Sequence, residues 1–191
     1  MVKYRTIVAD PPWKYRQAEV LGARQDCRDG HKSLGVGSSS RYGAMSVDEL
    51  KAVAPDADDN AHLYLWTTNA FMVEAHEIAE AWGFDPKTIL TWVKTTHDDG
   101  RVSCRTGFYF RGATEHVLFC VRGSLRLLTT DALPTAYLWP RLPHSVKPDA
   151  FYDLVESASP GPYLELFARR NRLGWDTWGN ECRCDVEMAA L

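Results

Sequence analysis

The chain has 191 residues, of which 45% are hydrophobic and 25% charged, and its formal net charge is −3. This composition excludes a largely disordered or fibrous chain, and the length fits a single domain over residues 1–191. The negative net charge argues against a protein that coats nucleic acid non-specifically. No uncharged apolar run reaches the length of about 18 residues that a transmembrane helix requires, so we expect no association with a membrane.

Cysteine usage bears on the compartment and on metal binding. The chain has five cysteines, and no two of them have CxxC spacing. An odd number cannot form a complete set of disulfides, so we expect a reducing, cytoplasmic environment. Cys182 and Cys184 could ligate a metal, but no second pair with zinc spacing follows them, and we therefore expect no metal site.

The first third of the chain begins with a strand and continues into a long polar loop. Residues 4–9 predict a short buried strand, which ends at the proline pair after Asp10 because proline lacks a backbone donor. Residues 14–44 are rich in glycine and serine and predict a mobile loop. Ser46 and Glu49 then have the spacing of a capping box, which predicts a short helix.

The middle of the chain predicts strands separated by a helix and by a second loop. Short apolar segments predict strands at 62–66, 88–93 and 115–121. Residues 71–82 have the apolar spacing of an amphipathic helix. Residues 95–112 are polar and basic and predict a second mobile loop.

The last third completes an alternating pattern. Residues 124–147 contain three prolines and predict irregular structure, and Pro148 suits the first turn of a helix. Residues 163–167 predict a final strand. Strands that alternate with helices predict an α/β fold with a mostly parallel sheet, in which ligands bind beyond the carboxyl ends of the strands.

Basic residues are concentrated in the two polar loops. Residues 14–42 carry a net charge of +3 and residues 94–111 a net charge of +2, whereas the rest of the chain is acidic. Solvated surface loops and loops that grip phosphates both agree with this pattern. In the second case the two segments would contact nucleic acid.

The tetrapeptide Asp10-Pro11-Pro12-Trp13 combines groups suited to a flat base that bears an amine. The Asp10 carboxylate and the Pro11 carbonyl can both accept hydrogen bonds from an exocyclic NH₂, which makes the nitrogen lone pair available for attack. The Trp13 ring can stack on an extruded base. A turn that ends a strand and contains a core tryptophan is the alternative interpretation.

This tetrapeptide resembles the catalytic motif of amino-methyltransferases that use S-adenosylmethionine. The chain is similar more closely to the adenine methyltransferases related to the catalytic subunit of the eukaryotic mRNA methyltransferase, a group with small bacterial and phage members. The resemblance covers nearly the whole chain, in blocks that occur in family order. These blocks are Val8–Trp13, Tyr42–Ser46, Leu65–Trp66, Trp92–Thr95, Gly107, Glu115–His116, Arg122–Gly123, His144–Pro148, Ser159–Gly161, Glu165–Arg169 and Gly174–Glu181.

The resemblance implies a Rossmann-like methyltransferase fold in which the catalytic motif precedes the cofactor motif. It implies S-adenosylmethionine as cofactor, with Asn180 at the methionine carboxylate and Glu181 at the ribose hydroxyls; a C-terminal cap is the alternative for this pair. The predicted cofactor contacts are Asp10, Ser145, Lys147, Phe167, Arg169, Asn171, Asn180 and Glu181. The predicted substrate contacts are Trp13, Lys14, Tyr42, Arg111 and His144. Capping of the following helix by Ser145 or Asp149 is the alternative to a role of His144, Ser145 and Lys147 in binding.

The implied activity is transfer of a methyl group from S-adenosylmethionine to the exocyclic amine of adenine in nucleic acid. DNA is favoured as substrate, because small members without RNA-binding appendages lean to DNA. One alternative is an RNA adenine methyltransferase. Another is an inactive partner subunit that binds nucleic acid, although such subunits have an altered tetrapeptide and this one is intact. The resemblance allows a homodimer or a heterodimer.

Overall fold

The computed structural model describes residues 2–14, 43–104, 109–143 and 145–188. Much of the first predicted mobile loop and part of the second lie outside the described residues, as do Tyr42 and His144. The strands are β1 (Tyr4–Ala9), β2 (Ala57–Thr67), β3 (Asp85–Thr95), β4 (Thr114–Arg122), β5 (Ala136–Pro140), β6 (Tyr163–Leu166) and β7 (Trp175–Trp178). The α-helices are α1 (Val47–Ala52), α2 (Met72–Ala81) and α3 (Asp149–Ala158), and a 3₁₀ turn (Asn69–Phe71) precedes α2. Among the helices described, none has the length and apolarity to cross a bilayer.

The strands form one sheet in the order β5-β3-β4-β2-β1-β6-β7. Strand β4 runs antiparallel to its neighbours β2 and β3, and the other four pairs are parallel. The predicted α/β fold with a mostly parallel sheet is confirmed. Strand β1 precedes β6 in the chain and lies beside it in the sheet, which is the order that the resemblance implies for the catalytic and cofactor motifs.

Helices cover both faces of the sheet because apolar side chains alternate along the central strands. On β1, Ile7 lies in a core that includes Leu50 of α1 and Ile78 of α2. The next residue, Val8, lies in a second core on the opposite face, which includes Val155 of α3. All five side chains are at most 1% exposed, so the sheet is buried on both sides.

The topology brings several strand ends to one edge. The chain leaves β1 through α1 to reach β2 on one side, whereas β6 and β7 lie on the other side. Such a reversal of strand order opens a crevice beyond the carboxyl ends of the strands. The Asp10 N–H donates to the Leu166 carbonyl at 3.4 Å, so the ends of β1 and β6 are joined directly at this crevice.

Two strands of the structure were not predicted from the sequence. Strand β5 lies within residues 124–147, where irregular structure was predicted, and it pairs with β3. It ends at Pro140, which an edge strand tolerates because its outer donors need no partner in the sheet. Strand β7 is a four-residue edge strand paired with β6. Pro148 is the N-cap of α3 and not part of its first turn, whereas the capping box that begins α1 is confirmed.

A buried polar cluster ties β2 to the segment after α3. The Tyr64 hydroxyl and His62 Nδ1 each lie 2.7 Å from the Ser159 hydroxyl oxygen, and His62 Nε2 lies 3.2 Å from the Leu125 carbonyl. The carbonyl can only accept, so Nε2 carries the hydrogen and Nδ1 accepts from Ser159. Every group is satisfied while the imidazole is neutral. Burial lowers the pKa of His62.

We expect the free energy of unfolding to fall as the pH drops below about 6.5, the ordinary histidine pKa. The unfolded chain then binds a proton at His62 that the folded protein resists, so protonation favours unfolding until the lowered folded-state pKa is reached. Urea unfolding at pH 7.5 and pH 5.5 measures the effect. His62→Gln should be less stable at both values but should depend less on pH. An unchanged pH dependence in this variant would contradict the assignment.

Candidate active site

Four charged side chains meet at the edge of the sheet where β1 ends. The Lys147 ammonium lies 2.9 Å from Asp10 Oδ2 and 3.2 Å from Glu115 Oε2. The Lys94 ammonium pairs with the other oxygen of Glu115. The four side chains are between 11% and 23% exposed. Charges therefore alternate along Asp10, Lys147, Glu115 and Lys94, which we call the charge row.

Burial and pairing act in opposite directions on the pKa values of this row. Burial alone would lower the pKa of Lys147, but Asp10 and Glu115 raise it above its usual value. Burial alone would raise the pKa of Glu115, but Lys147 and Lys94 hold it below its usual value. For Lys94, burial outweighs the attraction of Glu115 and the pKa is lowered. Lys147 is therefore an ammonium that donates to Asp10 at neutral pH.

The row is assembled from four separate segments. Asp10 follows β1, Lys94 lies at the end of β3, and Glu115 at the start of the antiparallel β4. Lys147 follows a tight turn in which the Val146 N–H donates to the Pro143 carbonyl at 3.2 Å. Ser145 in this turn has a φ of 65°, in the left-handed region. The turn reverses the chain so that Lys147 can reach Asp10 before α3 begins.

Two buried tryptophans lie beneath the lysines of the row. The Lys147 ammonium lies 4.8 Å from the centre of the Trp66 ring, and the Lys94 ammonium 4.6 Å from that of Trp92. The two indoles contact each other edge to face, 6.2 Å apart. They are 1% and 3% exposed, so they belong to the core. They also stabilise the ammonium groups through cation–π attraction.

The Asp10-Pro11-Pro12-Trp13 segment is fixed by backbone hydrogen bonds. The Pro11 carbonyl accepts from the Trp13 N–H at 2.9 Å, and the Pro12 carbonyl accepts from the Met45 N–H at 3.0 Å. The Pro11 oxygen keeps its second lone pair for another donor. The turn is therefore rigid, and Asp10 and the Pro11 oxygen are held at the crevice.

The Trp13 ring packs against another aromatic ring with one of its two faces. Its ring stacks on Phe71, with ring centres 5.0 Å apart and planes 13° from parallel. One ring face is thus covered, and the half-buried side chain can offer only the other. Its indole N–H is buried without a hydrogen-bond partner among residues 2–14, 43–104, 109–143 and 145–188. Lys14, the next residue, is exposed.

The end of β6 has an unusual backbone. Phe167 is 3% exposed and has a φ of 62°, which is rare for a bulky residue and costs on the order of 1–3 kcal/mol. Its ring contacts Trp178 edge to face at 5.4 Å. The Ala168 N–H then donates to the Trp178 carbonyl at 3.0 Å. Strain of this kind concentrates at ligand sites, and here it turns the chain sharply at the crevice.

An ion pair bridges the ends of β6 and β7. Arg169 follows β6 and Glu181 follows β7, and a guanidinium nitrogen lies 3.6 Å from a carboxylate oxygen of Glu181. Glu181 is about a quarter exposed, and the neighbouring Asn180 is exposed. These side chains form the polar wall of the crevice on the β6–β7 side.

Asn171 has a structural role. Its amide nitrogen donates to the Thr177 hydroxyl at 2.7 Å and to the Arg183 carbonyl at 2.8 Å, and its oxygen accepts from the Arg183 N–H at 3.2 Å. Both ends of the amide thus fasten the C-terminal segment to β7. The contact of Asn171 with a cofactor stays a prediction. Arg111 is exposed on the loop before β4, and its contact with substrate also stays a prediction.

Sequence reasoning missed two members of the charge row. Lys94 was counted among the basic residues of the second loop, and Glu115 was noted only as part of a motif. Their positions carried a signal: Lys94 ends one strand and Glu115 begins the next, which places them together when the strands pair antiparallel. Within the described residues, no group of three or more histidine, cysteine, aspartate or glutamate side chains could hold a metal ion.

Comparison with known proteins identifies the family. Residues 4–181 match MT-A70. The chain belongs to the MT-A70 family. It is 32% identical over 189 residues to the type II methyltransferase M.MunI of a Mycoplasma species, across 94% of this chain and 78% of that protein. The family, the methyltransferase fold, the enzyme class and the S-adenosylmethionine cofactor were all predicted correctly from the sequence.

Eukaryotic relatives match over a smaller part of their length. The chain is 29% identical to the N(6)-adenosine-methyltransferase MT-A70-like protein of Drosophila melanogaster and 28% identical to the N(6)-adenosine-methyltransferase catalytic subunit of Homo sapiens. Each alignment covers 94% of this chain but only 27% and 28% of those proteins. The chain thus spans about a quarter of these relatives and most of the Mycoplasma protein.

Replacing Lys147 tests the charge row. Lys147→Met leaves two half-buried carboxylates without their shared cation, and we expect a loss of up to about 3 kcal/mol in unfolding free energy. Lys147→Arg keeps the charge and should recover most of this. Lys51→Met is the matched control, because Lys51 pairs with Glu77 at 2.8 Å on the surface, where loss of an ion pair has little effect on the free energy of unfolding. Equal losses at positions 51 and 147 in urea unfolding would contradict the role of the row.

Proposed function

We propose that this protein transfers a methyl group from S-adenosylmethionine to the exocyclic amine of adenine in DNA. The observation that carries the proposal is the Asp10 carboxylate, held by Lys147 at the carboxyl end of β1 in a member of the MT-A70 family. DNA is favoured over RNA because M.MunI, a type II methyltransferase, aligns over 78% of its length. The adenosine methyltransferases of Drosophila melanogaster and Homo sapiens align over only 27% and 28% of their length.

The residues at the ends of β6 and β7 fit the cofactor. The Glu181 carboxylate can accept hydrogen bonds from two ribose hydroxyls, and the Asn180 amide can donate to the methionine carboxylate. The sharp turn at Phe167 leaves Arg169 beside them at the carboxyl end of β6. Bound there, S-adenosylmethionine supplies an electrophilic methyl group on its sulfonium sulfur.

Asp10 and Pro11 act on the amine of adenine. The Asp10 carboxylate and the free lone pair of the Pro11 carbonyl accept from its two N–H groups, which draws the nitrogen lone pair out of conjugation with the ring and makes it available to the methyl carbon. With the cofactor bound, the amine nitrogen would displace the sulfonium sulfur from the methyl carbon, and Asp10 can accept the proton that the amine then gives up. Positioning of this kind accounts for much of the rate of a direct displacement. Lys147 keeps the carboxylate of Asp10 in place during this step.

Trp13 supplies the platform for the base. Phe71 covers one face of its indole, so an adenine that enters the crevice stacks on the other face. Because the Trp13 backbone is hydrogen-bonded to Pro11, the platform and the acceptors for the amine move as one unit. This arrangement holds the plane of the base fixed relative to the Asp10 carboxylate.

We expect Asp10→Asn to lower the rate of methyl transfer by about 10² to 10³. The amide has nearly the same size, but it has no negative charge and presents donors to the amine. The measurement is single-turnover transfer of tritiated methyl groups to plasmid DNA at saturating cofactor, with nucleosides analysed for methylated deoxyadenosine. Circular dichroism checks that the variant is folded. A rate within tenfold of the parent would show that Asp10 is not the acceptor, and methylation of matched RNA but not DNA would overturn the choice of substrate.

We expect Glu181→Gln to weaken binding of S-adenosylmethionine by about ten- to a hundredfold, because a hydrogen bond to a charged group contributes about 1.5–3 kcal/mol. Calorimetric titration in the presence of a chelator, without nucleic acid, measures this and checks that binding needs no metal. Glu187→Gln is the control, since Glu187 is an exposed carboxylate six residues further along. Equal affinity of the Glu181 variant and the parent would remove Glu181 from the cofactor site, and loss of binding in chelator would contradict a metal-free site.

A further inference from the structure

Two neighbouring aromatic side chains stand in solvent on the loop that leads into β4. Phe110 is 92% exposed and Tyr109 is 87% exposed. Every other phenylalanine that the structure describes is buried or half-buried. An exposed aromatic ring forgoes the stabilisation that burial would give, so adjacent exposed rings indicate a surface that contacts a ligand.

The loop that carries Phe110 begins and ends beside the charge row. The Lys94 N–H donates to the Ala113 carbonyl at 2.8 Å, and the Lys94 carbonyl accepts from the Ser103 N–H at 2.7 Å. Arg141 holds Ser103 in turn, with its Nε 3.0 Å from the Ser103 hydroxyl. Both ends of the loop are therefore fastened to a member of the charge row. Phe110 lies three residues before Ala113, within about 10 Å of it for even a fully extended chain.

A paired adenine presents a steric problem to an enzyme of the proposed function. Its amine is engaged in the base pair, so the base must leave the stack before Asp10 can contact it. Extrusion costs a few kcal/mol, and an apolar side chain that enters the stack recovers part of this. A phenylalanine suits the task because it stacks on any neighbouring base without reading its identity.

We propose that Phe110 enters the base stack of duplex DNA and fills the space that the target adenine vacates. The inference rests on the proposed function and adds to it that the substrate is double-stranded. Arg111, exposed beside Phe110, provides a cation for the phosphates of the opened step. Duplex DNA is favoured over a second copy of the chain because the aromatic pair adjoins both a cation and the site to which the substrate base must come.

The experiment compares one DNA in two forms. Initial rates of tritiated methyl transfer are measured on linear plasmid DNA and on the same DNA after heat denaturation. We expect Phe110→Ala to lower the rate on duplex DNA about tenfold or more and to change the rate on denatured DNA less than about twofold. Phe110→Trp should retain the parent rates. Leu128→Ala is the control, because Leu128 is 60% exposed and its N–H donates to the carbonyl of Ala158, at the end of α3 opposite to the end that Lys147 precedes.

A rescue experiment separates wedge insertion from general loss of activity. Sequencing of the methylated plasmid locates a target adenine, and a short duplex is made in which this adenine faces an abasic site. The adenine then has no partner to leave, so Phe110→Ala should recover a rate near that of the parent on this duplex.

Each remaining outcome is decisive. A Phe110→Ala rate that equals the parent on duplex DNA overturns the wedge, as does a parent that methylates only denatured DNA. Equal losses on both DNA forms would also overturn the wedge, and a lower mass in sedimentation alongside them would assign Phe110 to an interface between copies of the chain. If the parent methylates neither form of DNA, the proposed function itself is wrong. If the parent methylates both forms, the proposed function holds, and the result for Phe110→Ala then tests the wedge alone.

Discussion

The ion pair between Lys147 and Asp10 is the contact on which the rest of the site depends. A half-buried charge is tolerated only when it is paired, so Lys147 needs carboxylates on both sides and Glu115 needs a second lysine beyond it. The row therefore joins the ends of β1, β3 and β4 to the start of α3. None of these segments can form its part alone, because each would then leave a desolvated charge. The Asp10 carboxylate is consequently held in this position only when β1, β3, β4 and the start of α3 have come together.

Sheet topology explains how the two halves of the site meet. The N–H of Asp10 bonds the last carbonyl of β6, so the residue proposed to receive the amine is one hydrogen bond away from the strand proposed to hold the cofactor. The backbone strain at Phe167 lies at this same junction. Helices on both faces bury the strands that carry these ends, which keeps the two ends from shifting relative to each other.

The sequence indicated those parts of the candidate site in which a few consecutive residues form an unusual combination. The Asp10–Trp13 tetrapeptide after an apolar strand was such a signal, and Lys147 just before Pro148 was another. Lys94 and Glu115 could not be found in this way, because a lysine and a glutamate near strand ends are ordinary until the antiparallel pairing of β3 and β4 brings them together. Strand β5 was missed because the prolines at 134, 140 and 143 in and around it indicate irregular structure, whereas its pairing with β3 is a long-range contact. Asn171 is occupied by the C-terminal segment, a long-range contact that no local pattern indicates.

The alternation of charge along the row has an effect beyond stability. Two ammonium groups and two carboxylates in strict alternation sum to zero, so their fields largely cancel at distances greater than the length of the row, and salt screens what remains over a Debye length of about 10 Å at 0.1 M. The charge row therefore neither attracts nor repels an approaching polyanion over long distances. Long-range attraction must come from basic residues elsewhere on the surface. Encounter with DNA and the chemical step are thus governed by separate sets of charges, so ionic strength acts on the first and leaves the second nearly unchanged.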